Sequence, residues 1–222
     1  MIKLCIFDLD GTLVNSLADL AGAMNYALGT VGFPGHPVES YRKMVGNGVS
    51  ILADRAAGGK EKLSPESKEK LLAEFSAYYT EHCLDNTRPY EGIPQMLDRL
   101  TGIGVRYAVN SNKPDGFSKK IVSTLFPKHN FAEVWGKREE CDIKPAPDGV
   151  NGIISLLGVG RDEVLYIGDS NVDVFTAQNA GVRFCGVNWG FRSEEELRSA
   201  GASEVVSSPE DIIAIAAGER NE

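Results

Sequence analysis

The feature that most constrains the fold is a regular alternation of short apolar runs and helical patterns from about residue 88 onward. The apolar runs predict strands at 105–109, 132–135, 164–167 and 183–187, with a shorter one near Val205. Strands that are joined by helices in this way favour a parallel sheet with helices on both faces. The sequence therefore predicts a Rossmann-like α/β core.

The N-terminal segment adds one more strand to this core and then leaves it. The run at 2–7 is apolar with a single Lys, and it ends in Asp8-Leu9-Asp10-Gly11-Thr12, a tight loop that contains Gly. From residue 15 to residue 87 the patterns are helical, which indicates a separate module with the size of a small domain. We therefore expect a core of residues 1–14 and 88–222, interrupted after its first strand by a helical domain of residues 15–87.

Local signals mark the helices of this helical domain. Ser16 and Asp19 have the spacing of a capping box, with Asp in the position that Glu usually takes, and they predict a helix that runs to about Val31. A second helix is expected at 49–57. A third is expected at 65–82, because its first residue is Pro, which the first turn of a helix tolerates.

Composition argues against several classes of function. The 222 residues carry 23 Lys and Arg against 31 Asp and Glu, a formal net charge of −8 without a basic run, so nucleic acid is not an expected partner. The apolar stretches are too short for a membrane span or a signal peptide, so a cytoplasmic protein is expected. The four Cys residues are scattered, which favours neither a disulfide framework nor a zinc site.

Candidate functional residues stand at the predicted strand ends, because an open parallel sheet binds ligands beyond the carboxyl ends of its strands. Asp8 and Asp10 follow the first strand. Two carboxylates in this position are costly to bury without a cation, and one can attack a substrate while the other transfers protons. Asp-Gly is also common in turns, and taken alone this segment fits a turn equally well.

Small polar residues and a Lys follow later strands. In Asn110-Ser111-Asn112-Lys113-Pro114, the Ser111 hydroxyl and nearby backbone N–H groups are suited to a phosphate, although helix capping is the simpler explanation for this segment alone. Lys144 stands in Asp142-Ile143-Lys144-Pro145-Ala146-Pro147, where the prolines would fix its ammonium for phosphate charge. The alternative for Lys144 is a solvated surface side chain.

A second acid pair follows the predicted strand at 164–167. Asp169 and Asp173 flank a helix start, where the helix dipole stabilises carboxylates without any ligand. Mg²⁺ binding is the alternative, because this hard ion prefers carboxylate oxygens. Each of the four segments is ordinary alone, but an acid pair, a hydroxyl, a Lys and a second acid pair in this order are not.

This order of residues resembles the haloacid dehalogenase (HAD) superfamily, specifically its phosphatases, over essentially the whole chain. The Asp-x-Asp-Gly-Thr sequence after the first strand is that superfamily's first motif. The resemblance implies a Mg²⁺-dependent phosphomonoester hydrolase that acts on a small phosphorylated metabolite, with a helical cap domain that closes over the site. Asp10 argues against dehalogenation, because the dehalogenase branch lacks an acid at that position.

The resemblance also implies a role for each site residue. Asp8 attacks phosphorus and becomes an aspartyl phosphate, and Asp10 protonates the leaving alcohol and then activates water. Ser111 and the backbone of Asn112 contact the phosphoryl oxygens, and Lys144 neutralises charge. The implied Mg²⁺ ligands are Asp8, the backbone carbonyl of Asp10, Asp169 and, either directly or as a support to the metal site, Asp173.

Within the superfamily, three segments resemble phosphoglycolate phosphatases: 8–16, Val45-Gly46-Asn47-Gly48-Val49 and Asn188-Trp189-Gly190-Phe191. Gly46 and Gly48 would let the cap backbone approach a small ligand, although a loop before the next helix explains them equally well. Arg42 and Lys43 are candidates to meet a substrate carboxylate, although simple solvation is the commoner role of such residues. 2-Phosphoglycolate is therefore the expected substrate.

Other functions stay open at this point. A phosphosugar mutase would use the same scaffold with a cap able to hold a bisphosphate intermediate, and a pyrophosphatase or a nucleotide phosphatase shares the same core. A non-catalytic binding protein is least favoured, because it would be expected to have lost the nucleophile or a metal-binding acid. A monomer or a homodimer is expected, and the segment 136–143 receives no role.

Overall fold

The computed structural model describes residues 1–219. The chain forms two compact units. The first comprises Met1–Val14 and the chain from Pro89 onward, and the second comprises Asn15–Arg88.

The strands and helices in chain order are β1 (Leu4–Phe7), β2 (Val14–Asn15), α1 (Leu17–Thr30), α2 (Val49–Ala56), α3 (Pro65–His82), β3 (Arg88–Pro89), α4 (Ile93–Gly102), β4 (Arg106–Pro114), α5 (Asp115–Leu125), β5 (Glu133–Lys137), α6 (Asp148–Leu157), β6 (Val164–Gly168), α7 (Asn171–Ala180), β7 (Arg183–Val187), α8 (Glu194–Ser199), β8 (Val205–Val206) and α9 (Pro209–Ala217). Short 3₁₀ helices lie at Val38–Lys43, Lys60–Lys62 and Arg161–Glu163. β2 and β3 pair as a two-stranded sheet.

The first unit is built on a six-stranded sheet in the order β5-β4-β1-β6-β7-β8, in which neighbouring strands are parallel. Helices flank the sheet and provide the crossovers that parallel strands require. β1 lies between β4 and β6, with Leu4 paired to Arg106 on one side and to Val164 on the other. This confirms the predicted parallel α/β fold.

The core of the first unit surrounds β1, whose four residues are inaccessible to solvent. Leu4 and Ile6 pack in one cluster with Val164 and Tyr166 of β6 and with Ile153 of α6. A continuous apolar run is what a central parallel strand needs, because helices cover both of its faces. Each buried Leu or Ile side chain contributes about 1.5–3 kcal/mol to the stability of the fold. The polar residues that follow β1 are therefore attached to a strand that is firmly held in the core.

β4 is longer than the sequence predicts. The small polar residues of 110–114 predict a loop after a strand at 105–109, but the strand continues to Pro114. Its pairing with β5 shifts register between Asn110 and Pro114, so a bulge keeps these residues within the sheet. As a result, the side chains of Ser111, Asn112 and Lys113 are buried inside the first unit.

The second unit is helical. α1 packs against α3, and the 3₁₀ helix at Val38–Lys43 packs against α1. A largely buried ion pair joins α2 to α3, with 2.7 Å between Lys68 Nζ and Asp54 Oδ1. None of the helices within residues 1–219 has both the length and the apolar character needed to cross a membrane.

The predicted capping box at Ser16 and Asp19 is wrong. Asp19 lies in the first turn of α1, but its carboxylate accepts hydrogen bonds from the segment that follows α3. The backbone N–H groups of Asn86 and Thr87 donate to it at 3.0 and 2.8 Å, and the Thr87 hydroxyl donates at 2.7 Å. Asp19 therefore ties the beginning of the second unit to its end, which the local spacing cannot reveal.

Candidate active site

Asp8 follows β1 and is held in a fixed orientation. Its backbone N–H donates to the Ile167 carbonyl of β6 at 2.9 Å, which extends the β1–β6 pairing by one residue. Its Oδ1 accepts from the Leu9 N–H at 2.7 Å and lies 2.9 Å from Lys144 Nζ. Asp8 is only 8% exposed. A fixed, buried carboxylate of this kind is suited to nucleophilic attack, because orientation is provided before the substrate arrives.

Lys144 joins two of the carboxylates at this end of the sheet. Its Nζ lies 2.9 Å from Oδ1 of Asp8 and 2.7 Å from Oδ1 of Asp173, and its side chain is 4% exposed. Burial alone would lower the pKa of Lys144, but Asp173 and Asp8 outweigh burial and hold the pKa well above its ordinary value. Lys144 therefore carries a positive charge beside Asp8 at any physiological pH.

Asn112 positions the backbone of Lys144 through a reciprocal pair of hydrogen bonds. Asn112 Oδ1 accepts from the Lys144 N–H at 2.8 Å, and Asn112 Nδ2 donates to the Lys144 carbonyl at 3.0 Å. Both bonds are buried, where hydrogen bonds are electrostatically stronger than in water. The side chain of Asn112 thus acts on Lys144, a contact that the sequence did not suggest.

Three buried carboxylates lie together, because oxygens of Asp8, Asp169 and Asp173 are within 4.8 Å of one another. Burial, together with neighbouring carboxylates, raises the pKa of Asp8 to about 7, although Lys144 opposes this shift. Burial and the other two carboxylates raise the pKa of Asp169 to about 8. The cluster holds more negative charge than one Lys offsets, and hard oxygen donors in this number suit a divalent cation.

Close backbone packing and two hydrogen bonds hold Asp169. The Phe191 N–H donates to its Oδ2 at 2.7 Å, and the Thr12 hydroxyl donates to its Oδ1 at 3.2 Å. A Cβ on Gly11 would lie 2.3 Å from Asp169 Oδ2, and a Cβ on Gly190 would lie 2.3 Å from Asp169 Cβ. Only Gly fits at these two positions. Sequence reasoning missed these supporting roles: it used Gly11 as a loop residue and as part of the first motif, and Gly190 as part of the resemblance.

Asp173 serves the helix and the charged cluster at once. Its Oδ2 accepts from the Ser170 N–H at 3.1 Å and from the Ser170 hydroxyl at 2.6 Å, so it caps α7. Its Oδ1 faces Lys144 and accepts from the Tyr166 hydroxyl at 3.3 Å. Burial raises the pKa of Tyr166 well above its ordinary value, so that hydroxyl stays protonated. The position of Asp173 therefore agrees with the explanation by the helix start and also places it beside Lys144, whereas its part in Mg²⁺ binding stays a prediction.

The structure also brings a second buried lysine to the site. Lys113 Nζ lies 2.8 Å from Asp10 Oδ2, and the two side chains are 3% and 12% exposed. The Lys113 N–H lies 3.3 Å from the Ser111 hydroxyl oxygen, to which it donates. Sequence reasoning gave Lys113 no role, and Lys side chains are mostly exposed in proteins.

The predicted substrate residues Gly46, Gly48 and Arg42 belong to the second unit. Gly46 and Gly48 have φ values of 121° and 81°, a region that L side chains rarely adopt. Arg42 lies in the 3₁₀ helix at Val38–Lys43, and its Nε donates to Glu39 Oε2 at 2.7 Å. The structure therefore explains both glycines by backbone conformation and shows an acidic partner for Arg42.

Arg55 of α2, which sequence reasoning missed, holds the loop that contains the two glycines. It donates to the Met44 carbonyl at 2.7 Å and to Asn47 Oδ1 at 2.8 Å. Both hydrogen bonds come from a charged group and are stronger than neutral ones. Arg55 therefore gives this loop a defined conformation.

Several known proteins with a similar sequence are phosphoglycolate phosphatases by name. The family model described as haloacid dehalogenase-like hydrolase matches residues 5–187. The chain is 35% identical over 195 residues to a phosphoglycolate phosphatase of Mannheimia succiniciproducens, which covers 85% of this chain and 87% of that protein. It is 30% identical over 220 residues to one of Vibrio parahaemolyticus, which covers 97% and 96%.

A solved structure extends this similarity to three dimensions. The crystal structure of a predicted phosphoglycolate phosphatase from Haemophilus somnus matches with a TM-score of 0.89 and 30% identity, covering 96% of this chain and 97% of that one. The family match spans most of the chain and includes the segments that carry Asp8, Lys144 and Asp169. The chain therefore belongs to the family of haloacid dehalogenase-like hydrolases.

Proposed function

We propose that this protein is a Mg²⁺-dependent phosphatase that hydrolyses 2-phosphoglycolate through an aspartyl phosphate on Asp8. The observation that carries the proposal is the position of the Asp8 carboxylate, which is buried, paired with Lys144 and grouped with Asp169 and Asp173. The names of the relatives support 2-phosphoglycolate over a sugar bisphosphate, pyrophosphate or a nucleotide. A non-catalytic role is disfavoured because the nucleophile and the metal-binding acids are all present.

The first displacement transfers the phosphoryl group to the protein. An oxygen of the Asp8 carboxylate attacks phosphorus, and the bond between phosphorus and the ester oxygen breaks. The leaving oxygen takes a proton from the carboxyl group of Asp10, so glycolate leaves as an alcohol. The product on the protein is an acyl phosphate at Asp8.

The second displacement restores the protein. A water molecule attacks the phosphorus of the acyl phosphate, and the Asp10 carboxylate takes the proton that this water loses. The bond between phosphorus and the Asp8 oxygen then breaks, which releases inorganic phosphate and a free Asp8 carboxylate. Asp10, two residues after the nucleophile, thus serves both steps. It donates a proton in the first displacement and accepts one in the second.

Charge must be offset before a carboxylate can approach a phosphate. Lys144 supplies one positive charge at 2.9 Å from Asp8. Mg²⁺, when bound, would supply the rest as a Lewis acid held by oxygen ligands. Asp8, Asp169 and the backbone carbonyl of Asp10 are the proposed ligands. Both oxygens of Asp173 face Ser170 and Lys144, so its proposed role is to support the metal site by holding Lys144.

The remaining site residues are proposed to bind the substrate. Ser111 and the Asn112 backbone would contact the phosphoryl oxygens, in keeping with their position on the buried bulge of β4. Gly46, Gly48 and Arg42 of the helical cap domain would select the glycolate part, with Arg42 as the partner of its carboxylate. The protein is proposed to act in the cytoplasm as a monomer or homodimer.

The proposal is tested by phosphate release from 2-phosphoglycolate, sugar phosphates, nucleotides and pyrophosphate, with Mg²⁺ or with EDTA. We expect Mg²⁺-dependent release that is fastest for 2-phosphoglycolate and is lost in Asp8→Asn. Asp98→Asn is the matched control, because the Asp98 side chain is 76% exposed, and it should retain activity. Acid quenching during turnover should trap phosphate on the wild-type protein. Release that persists in Asp8→Asn would refute the mechanism, and a faster reaction with another substrate would refute the choice of 2-phosphoglycolate.

A further inference from the structure

Lys113 and Asp10 form an ion pair that is nearly inaccessible to solvent. Their charged atoms lie 2.8 Å apart, and the Lys113 side chain is as deeply buried as that of Lys144. Removing two charges from water is costly, and the cost is recovered only when the pair keeps good geometry. A lysine of this kind is therefore held in place by its carboxylate, and it holds that carboxylate in turn.

The contact restrains one oxygen of Asp10 in particular. Lys113 lies 2.8 Å from Oδ2, which fixes the rotation of the carboxyl group about its side-chain bond. The backbone of Lys113 is itself restrained, because its N–H donates to the Ser111 hydroxyl and its strand is paired to β5 on both sides of the bulge. The sheet therefore fixes the backbone of Lys113, and Asp10 fixes its ammonium.

Each of the two buried lysines contacts one carboxylate of the proposed mechanism. Lys144 lies against the carboxylate proposed as nucleophile, and Lys113 lies against the carboxylate proposed to transfer protons. Proton transfer needs the donor oxygen within hydrogen-bond reach of the leaving oxygen, so a carboxyl group that rotates freely is a poor catalyst. A contact that holds Oδ2 limits the rotation of the Asp10 carboxyl group and thereby keeps it in one orientation.

We infer that Lys113 is a positioning residue for proton transfer, which orients the Asp10 carboxyl group toward the leaving oxygen and later toward the attacking water. This inference rests on the proposed function. Lys113 does not touch the reacting atoms in this role. It acts through Asp10, and its effect should appear only in reactions that need Asp10 as an acid.

Substrates with different leaving groups distinguish a positioning role of Lys113 from a purely structural one. An alkyl phosphate such as 2-phosphoglycolate needs a proton on its leaving oxygen, whereas p-nitrophenyl phosphate leaves as a stable anion. The kcat/KM of each substrate reports the first displacement. In Lys113→Met, which keeps the side-chain length and removes the charge, kcat/KM for 2-phosphoglycolate should fall about 10- to 100-fold, as expected for a misplaced catalytic group. The value for p-nitrophenyl phosphate should change less than about threefold.

Two further variants show whether the effect passes through Asp10. Lys113→Arg retains the charge and should recover most of the 2-phosphoglycolate activity. In an Asp10→Asn background, Lys113→Met should cause little additional loss, because residues that act through one another are not additive. Lys128→Met is the control for loss of an exposed lysine in the first unit, and it should match the wild type.

Folding and the underlying mechanism are checked separately. If Lys113→Met does not fold, the double variant that makes both partners neutral provides the comparison with Asp10→Asn, since no buried charge is left unpaired. The inference would be overturned if Lys113→Met lowered kcat/KM equally for the two substrates. It would also be overturned if Lys113→Met lowered kcat/KM in the Asp10→Asn background by the same factor as in the wild type. If the wild-type protein hydrolyses neither substrate and traps no phosphate, the proposed function itself has failed, which is a different result.

Discussion

The buried carboxylates of the first unit predict an inverted dependence of stability on pH in the absence of metal. The pKa of Asp8 is raised from 3.8 to about 7. Between these two pKa values the folded protein binds more protons at Asp8 than the unfolded chain does. The free energy of unfolding therefore falls as pH rises through this interval, and it is constant with respect to Asp8 above it.

The magnitude follows from the width of the interval. Between pH 5 and the folded pKa of about 7, two pH units at about 1.36 kcal/mol each amount to about 2.7 kcal/mol. Asp8→Asn removes this contribution. In EDTA, the stability of Asp8→Asn relative to the wild type should therefore increase by about 2–3 kcal/mol between pH 5 and pH 8. Mg²⁺ at about 100 times its Kd should raise the free energy of unfolding of the wild type by about 2.7 kcal/mol and that of the variant by less.

The measurement is urea-induced unfolding followed by the fluorescence of Trp135 and Trp189, which both belong to the first unit. Glu195→Gln is the control, because the Glu195 side chain of α8 is exposed, and it should give the same difference in the free energy of unfolding from the wild type at both pH values. If the difference in the free energy of unfolding between Asp8→Asn and the wild type does not change between pH 5 and pH 8 in EDTA, burial and the neighbouring carboxylates do not raise the pKa of Asp8. Equal stabilisation of both proteins by Mg²⁺ would refute Asp8 as a metal ligand.

Three further variants test other parts of the structure. Lys144→Met should lower kcat for phosphate release by about 10²–10³-fold, because it removes the charge beside Asp8; retention of wild-type kcat would contradict this role. Gly190→Ala should weaken Mg²⁺ binding by about 10- to 100-fold in calorimetry, because its Cβ would displace Asp169, and unchanged affinity would show that the packing is less tight. Asp19→Ala should lower the free energy of unfolding by about 2–4 kcal/mol in urea, since it leaves donors of Asn86 and Thr87 unpaired, whereas Glu39→Ala at an exposed site should change it little.

Periodicity and strand-end chemistry were sufficient to predict the parallel sheet and to nominate Asp8, Lys144, Asp169 and Asp173. Apolar runs report burial on both faces of a strand, and that information is local. The meeting of these four residues follows from strand order, because β1 lies between β4 and β6 and their carboxyl ends share one edge. The sequence could therefore indicate the candidates before any distance was known.

Other contacts depend on residues that are far apart in the chain. Asp19 has the spacing of a capping acid, yet its partners lie 67 and 68 positions away. Asn112 holds Lys144 across 32 positions, and no pattern within a single segment reports such a pair.

Lys113 shows most clearly what the sequence alone determined and what it did not. The sequence determined that a Lys follows the polar end of a strand, and such a residue is normally solvated. Only the tertiary structure decided that β4 continues through a bulge and that the ammonium is buried 2.8 Å from Asp10. The physical reason is that the energy of a buried charge depends on the position of its partner, and that position is set by the packing of the whole sheet rather than by neighbouring residues.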